Sequence, residues 1–374
     1  MQKRILFLAV AAAAMAAPSA FADTSNVNIY GQLDLDMART DTGSGGTSTM
    51  QVASQVSKIG FKGSEDLGGG TSAIWQIEQQ INIDNPTGAG GTGTFATRNS
   101  FVGLSSKDAG TLILGRNDTP YKLATRRLDV FGDTIADNRS LMGGGATFNG
   151  AGAHDARPNN VAAYLSPNWS GFGVALAYVA NAEGATTSTS AKGNAYSVNA
   201  TYDGKLGDSQ ALYVGLGYQS VKAGTGNVIG VIGNKLTAWK VGVGYTISAL
   251  QINAVYEKTS DDLGASGGNL FGRSDWYVGA KYGITDSDNL RLAYGHAGNA
   301  AGAANGNNYS ASQYSLGYDH NLSKRTALYA IYTRVNNNSN ANFVLSTSGS
   351  TAGGGAVLAG SDPSAIVLGI RHAF

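Results

Sequence analysis

Apolar and polar residues alternate along most of this chain, and period-2 alternation predicts β-strands. In Val27–Met37, Val27, Ile29, Leu33, Leu35 and Met37 share one face with Gly31, while Asn28, Tyr30, Gln32, Asp34 and Asp36 share the other. The pattern recurs in Gln51–Gly63, Thr71–Ile83, Thr97–Ser106, Thr111–Arg116, Arg157–Ser166, Phe172–Asn181 and Asn194–Tyr202. It continues in Leu212–Val221, Leu236–Thr246, Leu250–Thr259, Ser274–Ile284, Leu290–His296, Ser310–His320, Thr326–Val335 and Ala365–Phe374. These make sixteen predicted strands.

Their connections alternate in length. EDLGGG, KDAG, ITDSDN and NLSKR are short, whereas 182–193, 222–235, 260–272, 298–309 and 337–363 are long and rich in Gly, Asn and Ser. Short turns at one end and long loops at the other are the pattern of an outer-membrane barrel. An even strand number lets an antiparallel sheet close, and lipid requires closure because no edge can stay unpaired. Tyr30, Tyr178, Tyr202, Tyr245, Tyr256 and Tyr282 lie near strand ends, as an interfacial aromatic girdle would. The expected fold is all-β, a 16-stranded antiparallel transmembrane β-barrel. Sixteen strands leave a bore wide enough for water.

One stretch breaks the alternation. Asn117–Ala156 separates two strands and is too long for an ordinary connection. It carries Arg126, Arg127 and Arg139 beside Asp129, Asp133 and Asp137, with Leu128, Val130, Phe131 and Ile135 between them. The apolar residues imply packing, so this third long loop is expected to fold into the lumen and narrow it. A mobile surface loop is the alternative that the local sequence leaves open.

Composition adds the compartment. MQKR, the 13 apolar residues Ile5–Ala17 and PSAFA read as a secretory signal peptide over residues 1–22, cleaved after Ala22. The apolar run is too short to span a bilayer as a helix. Residues 23–374 then form a single barrel domain with 117–156 as its constriction loop. Losing Lys3 and Arg4 from 26 basic residues leaves 24 against 25 acidic, which points to no nucleic-acid partner. The chain has no cysteine, so disulfides contribute nothing.

Alternation also assigns charges. Lys58, Lys62 and Glu78 fall on the polar face, where a lumen would receive them; on the lipid face near mid-bilayer each would cost roughly 2–4 kcal/mol. Gln32 and Asp34 join them as lumen-lining residues, with Arg116 at the end of the strand before the loop. Gly215, Gly217, Gly242 and Gly244 lie within strands with no helix to follow, so they mark close packing or curvature, with neighbouring subunits as one candidate, rather than a nucleotide loop. Asp286, Asp288 and Asn289 read as a turn rather than a cation site. His154, His296, His320 and His372 stand in no catalytic motif. No enzyme activity, metal or cofactor is expected.

YGQLDLDM, KIGFKGSEDLGGG, TRNSFVGLSSKDAGTLILGRNDTPY, RPNNVAAYLSPNWSGFGVALAY, LSKRTALYAIY and GIRHAF together resemble the Gram-negative general porins, in particular the β-proteobacterial type. The resemblance spans the mature chain in order. It implies a homotrimer in the outer membrane, among lipid and lipopolysaccharide, passing small hydrophilic solutes and ions by passive diffusion. It also implies a constriction in which basic wall residues Lys58, Arg98 and Arg157 face acidic loop residues Asp129 and Asp133. The chain departs where enteric porins carry a Lys in place of Gln32 and a Pro-Glu pair near Leu128 and Asp129. The extra arginines of the loop tilt the expectation toward anions. A substrate-specific channel and a structural or adhesive barrel are the alternative functions; conductance and solute flux separate them.

Overall fold

The computed structural model describes residues 26–43, 46–84, 95–144, 154–180, 193–222, 234–304, 306–346 and 357–374. The expected signal peptide of residues 1–22 lies outside the described residues, as does part of each long connection at 182–193, 222–235 and 337–363. Seventeen strand segments are described. They are β1 (Asn26–Asp41), β2 (Ser48–Ser54), β3 (Lys58–Gly68), β4 (Thr71–Gln80), β5 (Ser100–Ser106), β6 (Gly110–Arg116), β7 (Val161–Leu165), β8 (Phe172–Ala180) and β9 (Asn194–Gly207). There follow β10 (Gln210–Lys222), β11 (Lys235–Ile247), β12 (Leu250–Asp261), β13 (Ser274–Gly283), β14 (Asp288–Ala297), β15 (Ala311–Asn321), β16 (Thr326–Asn337) and β17 (Ser364–Ala373). One short helix, α1 (Pro120–Thr125), stands between β6 and β7.

Apart from β2 and β3, which both pair with β1, successive strands pair antiparallel, and β1 pairs with β17 to close the sheet. The predicted strand Gln51–Gly63 is interrupted. β2 pairs with the loop-side half of β1, β3 pairs with its other half, and Gln55–Ser57 leaves the ladder between them. The Ser57 hydroxyl bonds the Asp34 backbone at 2.9 Å, and the Gln55 amide donates to the Asp34 carbonyl at 2.9 Å. β2 and β3 thus cross the wall once, and the barrel has sixteen crossings.

The two faces differ as alternation predicts. Val102, Leu114, Leu176, Leu216, Val243, Leu292 and Leu368 are exposed on one face. Ser197, Asn199, Asn253, Glu257, Asp275 and Thr333 are buried on the other. One chain segment touches the second face on six successive strands, β9 to β14, described below, and so lies within the closed cylinder. The apolar face therefore looks outward. We predict that Val243→Arg, at the middle of β11, destabilises insertion by about 2–4 kcal/mol; folding yield into lipid vesicles against urea measures it, and an unchanged midpoint would refute the sidedness.

Aromatic pairs run round the outer wall. Tyr178 stands opposite Tyr196, Tyr218 opposite Trp239, and Tyr256 opposite Trp276. Such rings suit the membrane interface. Tyr30 is not among them. It sits on the polar face, its hydroxyl donating to Glu78 at 3.0 Å. The inner face is not uniformly polar either, since Ile113, Ala163, Val179, Ala195, Val221 and Leu236 form a buried apolar cluster there.

Candidate functional site

The site begins where β6 ends. Thr119 caps α1 by accepting the Lys122 amide at 3.3 Å, and Pro120 takes the first helical position, where its missing N–H costs nothing. The helix lasts six residues and passes into a 3-10 turn at Arg126–Leu128. The segment then folds on itself, with a second 3-10 turn at Asn138–Ser140.

Wall side chains hold this segment through its backbone. The Tyr121 amide donates to Ser197 at 2.9 Å, and Asn199 donates to the Pro120 carbonyl at 2.9 Å. Tyr213 donates to the Ala124 carbonyl at 2.8 Å, and Asn253 to that of Leu128 at 2.7 Å. The Tyr277 hydroxyl accepts from the Val130 amide, and Arg291 donates to the Val130 carbonyl, each at 3.0 Å. Leu128, Phe131, Ile135 and Leu141 are buried beneath these bonds with Ala341, Phe343 and Leu345 of the last long connection. The Ser346 amide bonds the Ile135 carbonyl at 3.2 Å, so a second loop closes over the tip of the first.

Glycines of the wall give the segment room. A methyl group at Gly215 would strike the Ala124 carbonyl, and one at Gly242 would strike Leu128. These glycines face inward, so subunit approach is not their role. The sequence signal for close packing was present, but the partner was on the other face.

Both ends of the segment meet at one carboxylate. Glu257 is fully buried and accepts from the Tyr121 hydroxyl and the Gly143 amide, each at 2.7 Å. Lys240 on the next strand pairs with Asp155 at 2.5 Å and lies 4.1 Å over the Tyr121 ring. His154 is buried beside them, and its burial pushes its pKa down to about 4, so it is neutral at physiological pH.

The loop's charges are spent on one another. Arg126 pairs with Asp133 and Asp137 at 2.6 Å each and with Asp129 at 3.6 Å; Arg139 pairs with Asp137 at 2.7 Å. Asp137 is buried, which alone would raise its pKa, but Arg126 and Arg139 hold it well below the usual range. Burial raises Asp129, and repulsion from Asp137 adds to that. Arg127 reaches Asp203 on the wall. Asp129 instead turns to Tyr277, which donates to it at 3.1 Å. Asp129 and Asp133, expected to face Lys58, Arg98 and Arg157 across the bore, make their ion pairs with Arg126. The Arg126–Asp129 spacing, three residues on, was the available signal.

The expected wall cations do come together, around other acids. Arg98 pairs with Glu78 at 2.5 Å and Lys58 approaches the same carboxylate at 3.8 Å. Arg157 pairs with Asp118 at 3.1 Å and donates to Asn99 at 2.7 Å, while Lys122 pairs with Asp118 at 2.8 Å. Burial raises the Asp118 carboxyl, but Lys122 and Arg157 more than offset it and hold it at about 2. Burial likewise lowers Lys122 and Arg157, against the pull of Asp118. Arg157 sits on the loop's return, four residues before β7 begins, and not in a strand. Four cations thus share two carboxylates, an excess of two positive charges.

Of the other lumen-lining residues, Gln32 reaches the Val56 carbonyl at 3.4 Å and Lys62 is exposed over the Tyr30 ring. Asp34 faces inward but is fully buried, paired with Arg371 at 2.7 Å and accepting from Tyr329 at 2.6 Å. It is covered and lines nothing. Arg116 follows Leu112 and Leu114 on the outward set of β6 and turns to the Thr97 carbonyl at 2.9 Å and Asn159 at 2.6 Å. No cluster of metal-ligating residues occurs among the described residues.

A family model described as Gram-negative porin matches residues 9–340. Outer membrane porin protein 32 of Delftia acidovorans is 28% identical over the whole of both chains. Major outer membrane protein P.IA of Neisseria meningitidis is 30% identical over 59% of this chain and 58% of its own. Among solved structures, an anion-selective porin from Comamonas acidovorans superposes with a TM-score of 0.77 at 27% identity, covering 94% of this chain and 100% of that one. OmpT of Vibrio cholerae in its trimer form, at 17% identity and a TM-score of 0.63, shares the fold.

Proposed function

The chain belongs to the Gram-negative porin family, and from that premise we propose that it is a non-specific diffusion channel favouring small anions, narrowed by its own 117–156 segment. As an outer-membrane porin it passes solutes passively through a closed barrel. The observation that carries the anion reading is the charge excess of Lys58, Arg98, Lys122 and Arg157 over Glu78 and Asp118 at the two ends of that segment. On the loop, Asp129, Asp133 and Asp137 are held in ion pairs by Arg126 and Arg139. Screening acts over ~8 Å at physiological salt, so fixed charge is felt across a narrow bore. The anion-selective character of the Comamonas relative supports the same reading.

The remaining parts of the proposal are an export signal at residues 1–22, one barrel domain over residues 23–374, no catalytic role, and a homotrimer among lipid and lipopolysaccharide. In a KCl gradient across a planar bilayer, the reversal potential will show chloride favoured; potassium preference would reject the anion reading. Liposome swelling with graded sugars will show unsaturable flux falling with size, whereas saturation for one solute would make this a substrate-specific channel.

A further inference from the structure

An apolar strip interrupts the inner wall from β4 to β7. Phe101 and Ile113 fall on the face opposite the outward Val102, Leu112 and Leu114, and Ile74 shares the inner face of Gln76 and Glu78. Leu165 stands opposite Thr111, on the same face as Ile113. Ile113 is buried, and Ile74, Phe101 and Leu165 pack against it while each keeps part of its own surface open. That open surface faces the bore. Gly103 lies between Ile74 and Ile113 on one row of the sheet. A methyl group there would strike Ile113 and the Leu112 carbonyl, so the floor of the strip is backbone.

A positive charge borders the strip. Lys62 is exposed on β3, and its ladder partners Asn28 and Gln76 bring no acid. Lys58 and Arg98 share Glu78, whereas Lys62 forms no ion pair among the described residues. Ile74 is the diagonal neighbour of Lys62 across β3 and β4, roughly 7–8 Å away. Phe101 stands opposite Gln76, two strands from Lys62, or about 10 Å. Gln76 itself turns aside to donate to the Asn99 carbonyl at 2.9 Å. Along this wall an unpaired ammonium thus gives way directly to apolar surface. A wholly hydrophilic anion uses the first and not the second. A carboxylate with an apolar body uses both.

We propose that Lys62, Ile74, Phe101 and Leu165 form a weak binding strip for organic carboxylates that carry an apolar ring or chain, and that the channel passes these ahead of hydroxylated carboxylates of the same charge. The strip deepens the anion reading above and rests on it. Lys62 attracts the carboxylate, and the ring lies on Ile74 and Phe101. Burying about 60 Å² of ring there is worth about tenfold in occupancy, enough to rank solutes without trapping them.

The channel is placed in a planar bilayer between equal concentrations of potassium cyclohexanecarboxylate and potassium shikimate at about pH 8, where both acids are ionised. The two anions share a six-membered ring and a single carboxylate, and shikimate adds hydroxyls. The reversal potential will show cyclohexanecarboxylate the more permeant by about tenfold. Ile74→Gln with Phe101→Gln, which leaves the charges of the bore in place, will bring that ratio below about threefold. A second measurement needs no variant: added to symmetrical KCl, cyclohexanecarboxylate will reduce the wild-type current at about a tenth of the shikimate concentration. A wild-type ratio near one, equal block by the two anions, or a variant that conducts KCl and keeps the wild-type ratio would each overturn the strip. A KCl gradient separates the two readings: chloride preference without discrimination between the carboxylates refutes the strip alone, and potassium preference refutes the anion reading and the strip with it.

Discussion

Glu257→Ala will enlarge and unsteady the channel. Glu257 ties the two arms of the segment together, taking the Tyr121 hydroxyl from its entry and the Gly143 amide from its return. Both bonds are buried, so truncation leaves two donors without an acceptor, each costing about 1–3 kcal/mol. Lys240 keeps Asp155 as its partner but loses the second carboxylate 3.9 Å away. Removing one member of a buried ionic group costs about 3–5 kcal/mol in all. That cost falls on the segment and not on the barrel, because the ladder pairing of β11 with β12 is made by backbone. Single-channel recordings will show larger, noisier steps, and liposomes will admit larger sugars. Glu257→Gln keeps one acceptor and will fall between. A barrel that migrates normally on gels with unchanged conductance and sugar cutoff would show that the clamp is not at Glu257.

The alternation that predicts the barrel survives because it is a local property. Each strand's faces are decided by whether a residue meets lipid or the interior, and β11 reads the same in sequence as in space. The break at Gln55–Ser57 was not legible for the opposite reason. Its polar groups are satisfied by Asp34 and neighbouring chain some 20 residues away, a partner that no local pattern reveals. The loop's path is hidden still further. Its backbone is held by Ser197, Asn253 and Tyr277, residues that on their own strands are simply members of the polar face. Tyr30 is a different kind of miss: its place between Asn28 and Gln32 put it on the polar face, and its nearness to the strand end was weighed instead. The basic residues Lys58, Arg98 and Arg157 were identified through resemblance, and they do share one patch. The acids they pair with are Glu78 and Asp118, while Asp129 and Asp133 of the loop, expected to face them, pair with Arg126.

Arg98→Glu with Arg157→Glu will reverse the channel's ion preference. The wild-type patch sets Lys58, Arg98, Lys122 and Arg157 against Glu78 and Asp118. The double variant leaves two cations against four acids, turning an excess of two positive charges into an excess of two negative ones. A unit charge about 7 Å from a permeating ion is worth roughly 0.6 kcal/mol in water, and 0.1 M salt about halves it. Two such charges then favour chloride and disfavour potassium by about 0.6 kcal/mol each, a permeability ratio of about seven. The double variant will show a similar ratio in the other direction, and lower salt will steepen both. Because a new carboxylate beside Glu78 or Asp118 could itself shift the loop, Arg98→Gln with Arg157→Gln is the milder control. It balances two cations with two acids, and its reversal potential will fall near zero. A glutamine variant that still prefers chloride as strongly as the wild type would place the selectivity filter elsewhere in the bore.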